Sequence, residues 1–395
     1  MILISTVAAI LLVSLAVGLL ALTLVFAVEI AASSFLKPDI RSGLPPESMT
    51  VIVPAHNESS HIAPMIRALQ LELRPADAIL VVADNCTDDT YAVAEAAGAR
   101  VVRREDPARR GKGYALDYAL RELAKCPPDA VVVMDADCYA SPGSLLKLAT
   151  VACARNRPVQ AQYDMIHPGA DNQSLHISAF SYKVKAWVRP TGLRALGLPC
   201  GLMGTGMALP WKIASGARLA SSHLVEDLQL SLQLACDGFA PEYCTDAKIT
   251  STFPVSLQGQ QIQRERWETG HLRLILELVP AMIWRGLRTG NIPLLALAVD
   301  TAIPPLALLT LLIAAETLAG VILYCVGGSA LPFGIGLATC GLLLSSILAA
   351  WRIAFPGESI GTMVLRVPDY VLGKFGLYVR ALAGKRIEWV RSPRD

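Results

Sequence analysis

No charged residue occurs between Met1 and Val28, and no lysine or arginine before Lys37. A secretory leader needs a basic start and an apolar run of only ~7–15 residues. A stretch of ~20 apolar residues crosses the hydrocarbon core, so residues 1–34 are expected to be a transmembrane anchor. Aromatic residues are scarce, at 6 %, which leaves few platforms for stacked bases. A net charge of only +2 gives no basic footprint, so nucleic acid is not an expected partner. The nine cysteines include no C-x-x-C pair and no cluster with histidine. That excludes a recognisable zinc site and a disulfide framework, and the cysteines read as reduced thiols. Charge is thin as well: 17 % of residues, with a mean hydropathy of +0.45, which places part of the chain in lipid.

Lys37 and Arg41 follow the first apolar run, so the positive-inside rule puts the next domain in the cytoplasm. A second apolar region covers 294–351, broken at Pro304-Pro305 and Gly327-Gly328. It is expected to hold two spans, roughly 298–325 and 330–351, with Arg285, Arg288 and Arg352 at the cytoplasmic side. Asp300 and Glu316 are costly in lipid: either they face protein or the first of these helices starts later. Residues 271–290, "HLRLILELVPAMIWRGLR" and its flanks, read as a helix lying in the membrane interface or as an ordinary packed helix. The tail, 352–395, carries Arg366, Lys374, Arg380, Lys385, Arg386, Arg391 and Arg394, which suits an anionic inner leaflet. The expected location is the inner (cell) membrane, multi-pass, with membrane lipid as a partner.

Between these ends, residues 45–270 alternate short β-branched runs with amphipathic stretches. "MTVIVPA", "AILVVAD", "ARVVRR" and "AVVVMDAD" read as strands, separated by helices at "SSHIAPMIRALQ", "TDDTYAVAEAAG" (N-capped by Thr87 or Asp88) and "GYALDYALRELA". Such alternation builds a parallel sheet with helices on both faces. Ligands bind such sheets at the carboxyl ends of the strands. Four polar clusters fall there: His56-Asn57-Glu58, Asp84-Asn85, Arg109-Arg110-Gly111-Lys112, and Asp135 with Asp137. Side chains at i and i+2 of an extended strand share a side, so Asp135 and Asp137 would repel unless something positive lay between them. Carboxylates beside a Gly-Lys loop describe a site for a divalent cation and a diphosphate, since Mg²⁺ favours one or two carboxylates plus substrate phosphates. Further on, Glu226 and Asp227 open an amphipathic helix, where they could simply complement its dipole. Gln263, Arg266 and Trp267 lie within five residues of one another, a spacing that also suits an interfacial helix.

In order, "VIVPAHNES", "VVADNCTDDT", "RRGKGYAL", "VVVMDADC", "GLMGTGMAL", "VEDLQL" and "QRERWETG" resemble the membrane-bound family 2 glycosyltransferases, from about residue 49 to 290. That group includes cellulose, chitin and hyaluronan synthases and many exopolysaccharide glycosyltransferases. The resemblance implies an α/β fold: a GT-A, Rossmann-like catalytic domain with transmembrane helices N- and C-terminal to it. It also implies Mg²⁺ or Mn²⁺ as cofactor, and inverting transfer of a sugar from a nucleotide diphosphate donor, a UDP-sugar being expected. Carried over by motif, Pro54, Ala55, Glu58, Asp84, Lys112 and Asp135 would bind the nucleotide sugar. Asp137, with Asp135, would hold the metal, and Asp227 would be the catalytic base. Gln263, Arg266 and Trp267 match Q-x-x-R-W and would cradle the diphosphate and acceptor, with Glu226 and Gly204 beside them. Two departures stand out. Ala83-Asp84 has one acid where the family often has two, and Val225 replaces the usual Thr or Ser before Glu-Asp. Two C-terminal spans are also few for an export channel. The expected acceptor is therefore lipid-linked, in exopolysaccharide or glycolipid biosynthesis. The alternatives are a processive β-glycan synthase extending a glycan acceptor, and a noncatalytic scaffold, which the intact Asp135, Asp137, Asp227, Arg266 and Trp267 oppose.

Overall fold

The computed structural model describes residues 2–35, 43–166, 173–221, 223, 225–254, 256–361 and 367–382. Lys37, Arg41, Arg366, Lys385, Arg386, Arg391 and Arg394 lie outside the described residues, and with them most of the charge behind the topology argument. The four expected strands form as β1 (Met49–Ala55), β2 (Ala78–Asp84), β3 (Arg100–Arg104) and β4 (Ala130–Val133). Their side chains alternate between two cores, as the pleat requires. Val51, Val53 and Val132 pack under the helices at Ile62–Gln70 and Ser144–Arg155. Ile52, Val131 and Val133 pack under the helix Lys112–Leu123.

The sheet is mixed rather than parallel throughout. With β5 (Tyr139–Ala140), β6 (Val159–Ile166), β7 (Met207–Pro210) and β8 (Glu242–Thr252), its order is β3-β2-β1-β4-β7-β6-β8-β5. Strands β1 to β4 pair in parallel, but β7 lies antiparallel to both β4 and β6. The strand–helix alternation ends at β4, and with it the connection that enforces parallel pairing. The short "MALP" of β7 then returns along β4 after a helical excursion. The helix after β2 begins at Thr90, later than expected; Asp88 still accepts hydrogen bonds from the Thr90 amide at 3.0 Å and from the Thr90 hydroxyl.

Among the described residues, three helices are long and apolar enough to cross a membrane: Thr6–Ser33, Leu306–Cys325 and Leu331–Ala354. The span expected from 298 starts only at Leu306, because Pro304 and Pro305 cannot continue the preceding helix. Asp300 thus sits in a separate short helix, Ile292–Ala302, and pairs with Arg189 at 2.5 Å. Glu316 stays in the span but is 2 % exposed, turned toward protein. The segment at 271–290 is divided as well. His271–Glu277 finish the helix Leu257–Glu277 that carries Q-x-x-R-W, and a second helix, Val279–Thr289, follows. That second helix packs through Val279 against Leu294 and Leu297, while Trp284 and Leu287 stay exposed. Two tail cations have carboxylate partners within the protein: Lys374 pairs with Glu268, and Arg380 with Glu265 at 3.1 Å.

Candidate functional site

A cavity of about 260 Å³ opens at the carboxyl ends of β1, β2 and β4, and all thirteen candidate residues line it. Strand ends supply Pro54, Ala55 and Asp84. Lys112 begins the helix after Gly111, whose φ of 126° suits glycine alone. Glu226 and Asp227 open the helix Glu226–Cys236 on the opposite wall. Gln263, Arg266 and Trp267 descend from the long helix above.

The D-x-D pair reaches the cavity by another route than the pleat. Strand β4 ends at Val133, and Asp135–Cys138 form a turn closed by the Cys138 amide on the Asp135 carbonyl at 3.0 Å. Ligand atoms of Asp135, Asp137 and Cys138 lie within 4.8 Å of one another. The positive charge on Asp135 is Lys112, whose ammonium donates to its carboxylate and, at 2.9 Å, to the Gly204 carbonyl. Burial alone would lower the Lys112 pKa, but Asp135, Glu226 and Asp227 outweigh it and raise it. Gln160, fully buried, pins the neighbouring loop by donating to the Thr205 carbonyl and accepting from the Met203 amide. The Thr205 hydroxyl in turn accepts from the Asp135 amide at 3.1 Å.

Gly204 stands between the two halves of the site. Its φ is +80°, and a Cβ there would lie 3.2 Å from Lys112 Nζ and 3.4 Å from Asp227 Oδ2. Gly204→Ala is expected to cost about 1–2 kcal/mol in stability from the left-handed backbone. It should also lower turnover ~10–100-fold by displacing both groups. A thermal melt and steady-state kinetics check the pair; normal turnover would separate Lys112 and Asp227 from the chemistry.

Burial raises the pKa of Asp227, against the pull of Lys185 and Lys112. Burial, then the charge of Asp227, push Glu226 up to about 7. Asp84 accepts from Arg104 at 2.6 Å in a buried pair, and burial still leaves its carboxyl above the usual range. Trp267 stacks on Tyr182 with centroids 5.8 Å apart, giving the cavity one flat apolar wall.

Several residues near the cavity were not anticipated. Arg104 ends β3, so the strand-end rule that selected Asp84 would have found it. Lys185 and Arg189 also line the cavity. They stand four apart in the apolar "YKVKAWVRP", one helical turn of cations that was itself a signal. Lys185 lies on a π-helical turn, Val184–Val188, a distortion that recurs at functional sites. Its side chain is open to the cavity, and the enclosing protein lowers its pKa. Tyr182 and His271 carried no signal beyond being polar residues in helices.

The family model described as "Glycosyltransferase like family 2" matches residues 45–270, more than half of the chain. The chain belongs to that family. The family 2 assignment makes it a glycosyltransferase, and it covers every candidate site residue. Two curated relatives are glucosyl-3-phosphoglycerate synthases, from Mycobacterium tuberculosis and Mycolicibacterium paratuberculosis. Each is 40 % identical over 96 residues, which is 23 % of this chain and 29 % and 28 % of those proteins. The match thus spans under a third of the relatives' length. Among solved structures, a mannosyltransferase from Pyrobaculum calidifontis, in complex with GDP-Man and Mn²⁺, is similar over 95 % of this chain and 100 % of its own. The TM-score is 0.55 at 15 % identity, a likeness of fold that confirms the GT-A architecture.

Proposed function

We propose that this family 2 enzyme moves a sugar, with inversion, from a nucleotide diphosphate sugar to a lipid-linked acceptor at the cytoplasmic face of the inner membrane. The observation that supports this best is the single cavity in which the D-x-D turn, Lys112, Asp227 and the Q-x-x-R-W side chains converge. Mg²⁺ or Mn²⁺ fits the donor set. Asp135 and Asp137 offer the hard oxygens that suit these cations, and burial raises the pKa of the Cys138 thiol beside them. When bound, the cation supplies counter-charge to the diphosphate.

The remaining work falls to side chains. Asp84 and the first strand end seat the nucleoside. Lys112 and Arg266 balance the charge that builds on the leaving diphosphate. The stacked Trp267 and Tyr182 offer a flat face to the sugar ring. Asp227 takes the proton of the acceptor hydroxyl as its oxygen bonds to the anomeric carbon and the bond to the diphosphate breaks. The nucleoside diphosphate departs, and no covalent enzyme intermediate is needed. The three candidate spans among the described residues support short additions over polymer export, since a tunnel would have to satisfy every polar group within the hydrocarbon.

The test incubates membranes containing the protein with a panel of labelled nucleotide sugars and extracts with chloroform–methanol. Label from one donor should enter the organic phase. Transfer from no donor, or label only in long water-soluble glycan, would overturn the reading.

A further inference from the structure

A second cavity, of about 130 Å³, lies beside the first. The two share one wall: Tyr182, Lys185, Arg189, Gln263, Trp267 and His271 line both. Two of the candidate membrane helices also reach the second cavity. Phe26 belongs to the N-terminal helix, about two turns from its end, and Pro304 to Ala307 form the break and first turn of the second apolar helix. A ligand there would touch two membrane helices on one side and the catalytic cavity on the other.

The polar groups say what kind of head it would carry. Two of the four cations at the walls are already matched: Arg189 is held by Glu29 at 2.6 Å and by Asp300 at 2.5 Å, and Lys374 by Glu268. Lys185 is shared with the first cavity, where its charge pulls against the raised pKa of Asp227. Arg264 lies with its guanidinium over the Tyr370 ring at 5.9 Å. Burial, with Lys185 and Arg189 nearby, holds His271 neutral, its pKa lowered to about 3, and its Nε2–H donates to the Thr301 carbonyl at 2.9 Å. Lys185, turned also toward Asp227, and Arg264, laid over a ring, are a thin set for a phosphate, which is held best by bidentate charge-assisted bonds. Gln260, 4 % exposed, instead keeps an amide oxygen without a partner, an acceptor that a hydroxyl satisfies and a phosphate repels.

Resting on the glycosyl-transfer reading above, we propose that the second cavity holds the head of an uncharged, hydroxyl-bearing membrane lipid. Its hydroxyl reaches Asp227 past the shared wall, while its chains leave between the N-terminal helix at Phe26 and the helix starting at Leu306. The Tyr182–Trp267 stack is then the gate between acceptor and donor.

The full-length protein in phosphatidylcholine nanodiscs is photolabelled with a diazirine-bearing diacylglycerol as probe. Label should fall on peptides carrying residues 178–184 or 303–307. Unlabelled diacylglycerol should compete, and a polyprenyl phosphate should not. Ser181 lines only the second cavity, so Ser181→Trp should cut labelling ~10-fold, the scale of 1.4 kcal/mol. Binding of UDP or GDP with Mn²⁺ should stay unchanged in that variant. Should Ser181→Trp also lose nucleotide binding, Ala307→Phe is judged by the same criterion. Labelling elsewhere, labelling unaffected by the filled cavity, or stronger competition by the phosphate overturns the proposal. A wild-type protein that binds neither nucleotide overturns the glycosyl-transfer reading itself, whereas intact nucleotide binding without this labelling overturns the lipid site alone.

Discussion

Asp227→Asn should reduce turnover ~10²–10⁴-fold, the range for loss of a general base, with donor affinity nearly unchanged. The change keeps the side chain's size, and Leu228 N–H can still donate to the amide oxygen as it does to Asp227 Oδ1 at 2.8 Å. What disappears is the ability to accept a proton. The same pair sets the pH profile. A carboxyl raised to about 7, as Glu226 is by burial and then by Asp227, keeps its proton below that pH. The Glu226–Asp227 pair therefore carries one proton too many on the acid side. Activity should be full above pH 7 and fall as the pH drops below it. Glu226→Gln, which holds that position uncharged at every pH, should flatten that limb at the low activity of the acid side. Calorimetric donor binding beside kcat, measured across pH, separates the outcomes: lost donor affinity with retained kcat would make Asp227 a binding residue.

Asp137→Asn should lower activity by more than about 100-fold, beyond the loss typical of removing an outer partner of a metal ligand. A chelator should silence the wild-type protein, and added Mg²⁺ or Mn²⁺ should restore it. Asp135 alone does not compensate, because one of its two carboxylate oxygens is already engaged by Lys112. Undiminished turnover in chelator would remove the metal from the reaction.

The first four strands were legible because their β-branched runs alternate with amphipathic stretches, and strand ends pointed to Asp84, Lys112 and Asp135. The antiparallel β7 was not, since four residues of "MALP" carry too little pattern to reveal direction. Asp135 and Asp137 were correctly grouped for a mistaken reason: the extended pleat ends before them, and a turn brings them together. Lys374 shows a different failure. Charge counted along a tail says nothing about partners contributed from afar, and Glu268, which buries this lysine, lies 106 positions away. Gln160 is of the same kind. Its role in pinning the Met203–Gly206 loop is visible only once β6 and that loop are neighbours.

A tether can be cut without harm to what it holds, but a clasp cannot. Glu29 lies near the end of the N-terminal apolar helix and grips Arg189, whose side chain lines both cavities. Gly192 lets the two backbones come so near that any side chain there would overlap the Glu29 carbonyl. Deleting that helix to obtain a soluble enzyme would leave the Arg189 guanidinium to Asp300 alone and would strip Phe26 from the second cavity. The N-terminal apolar helix is therefore part of the chamber's masonry, and kinetic work on this protein has to begin with the whole chain.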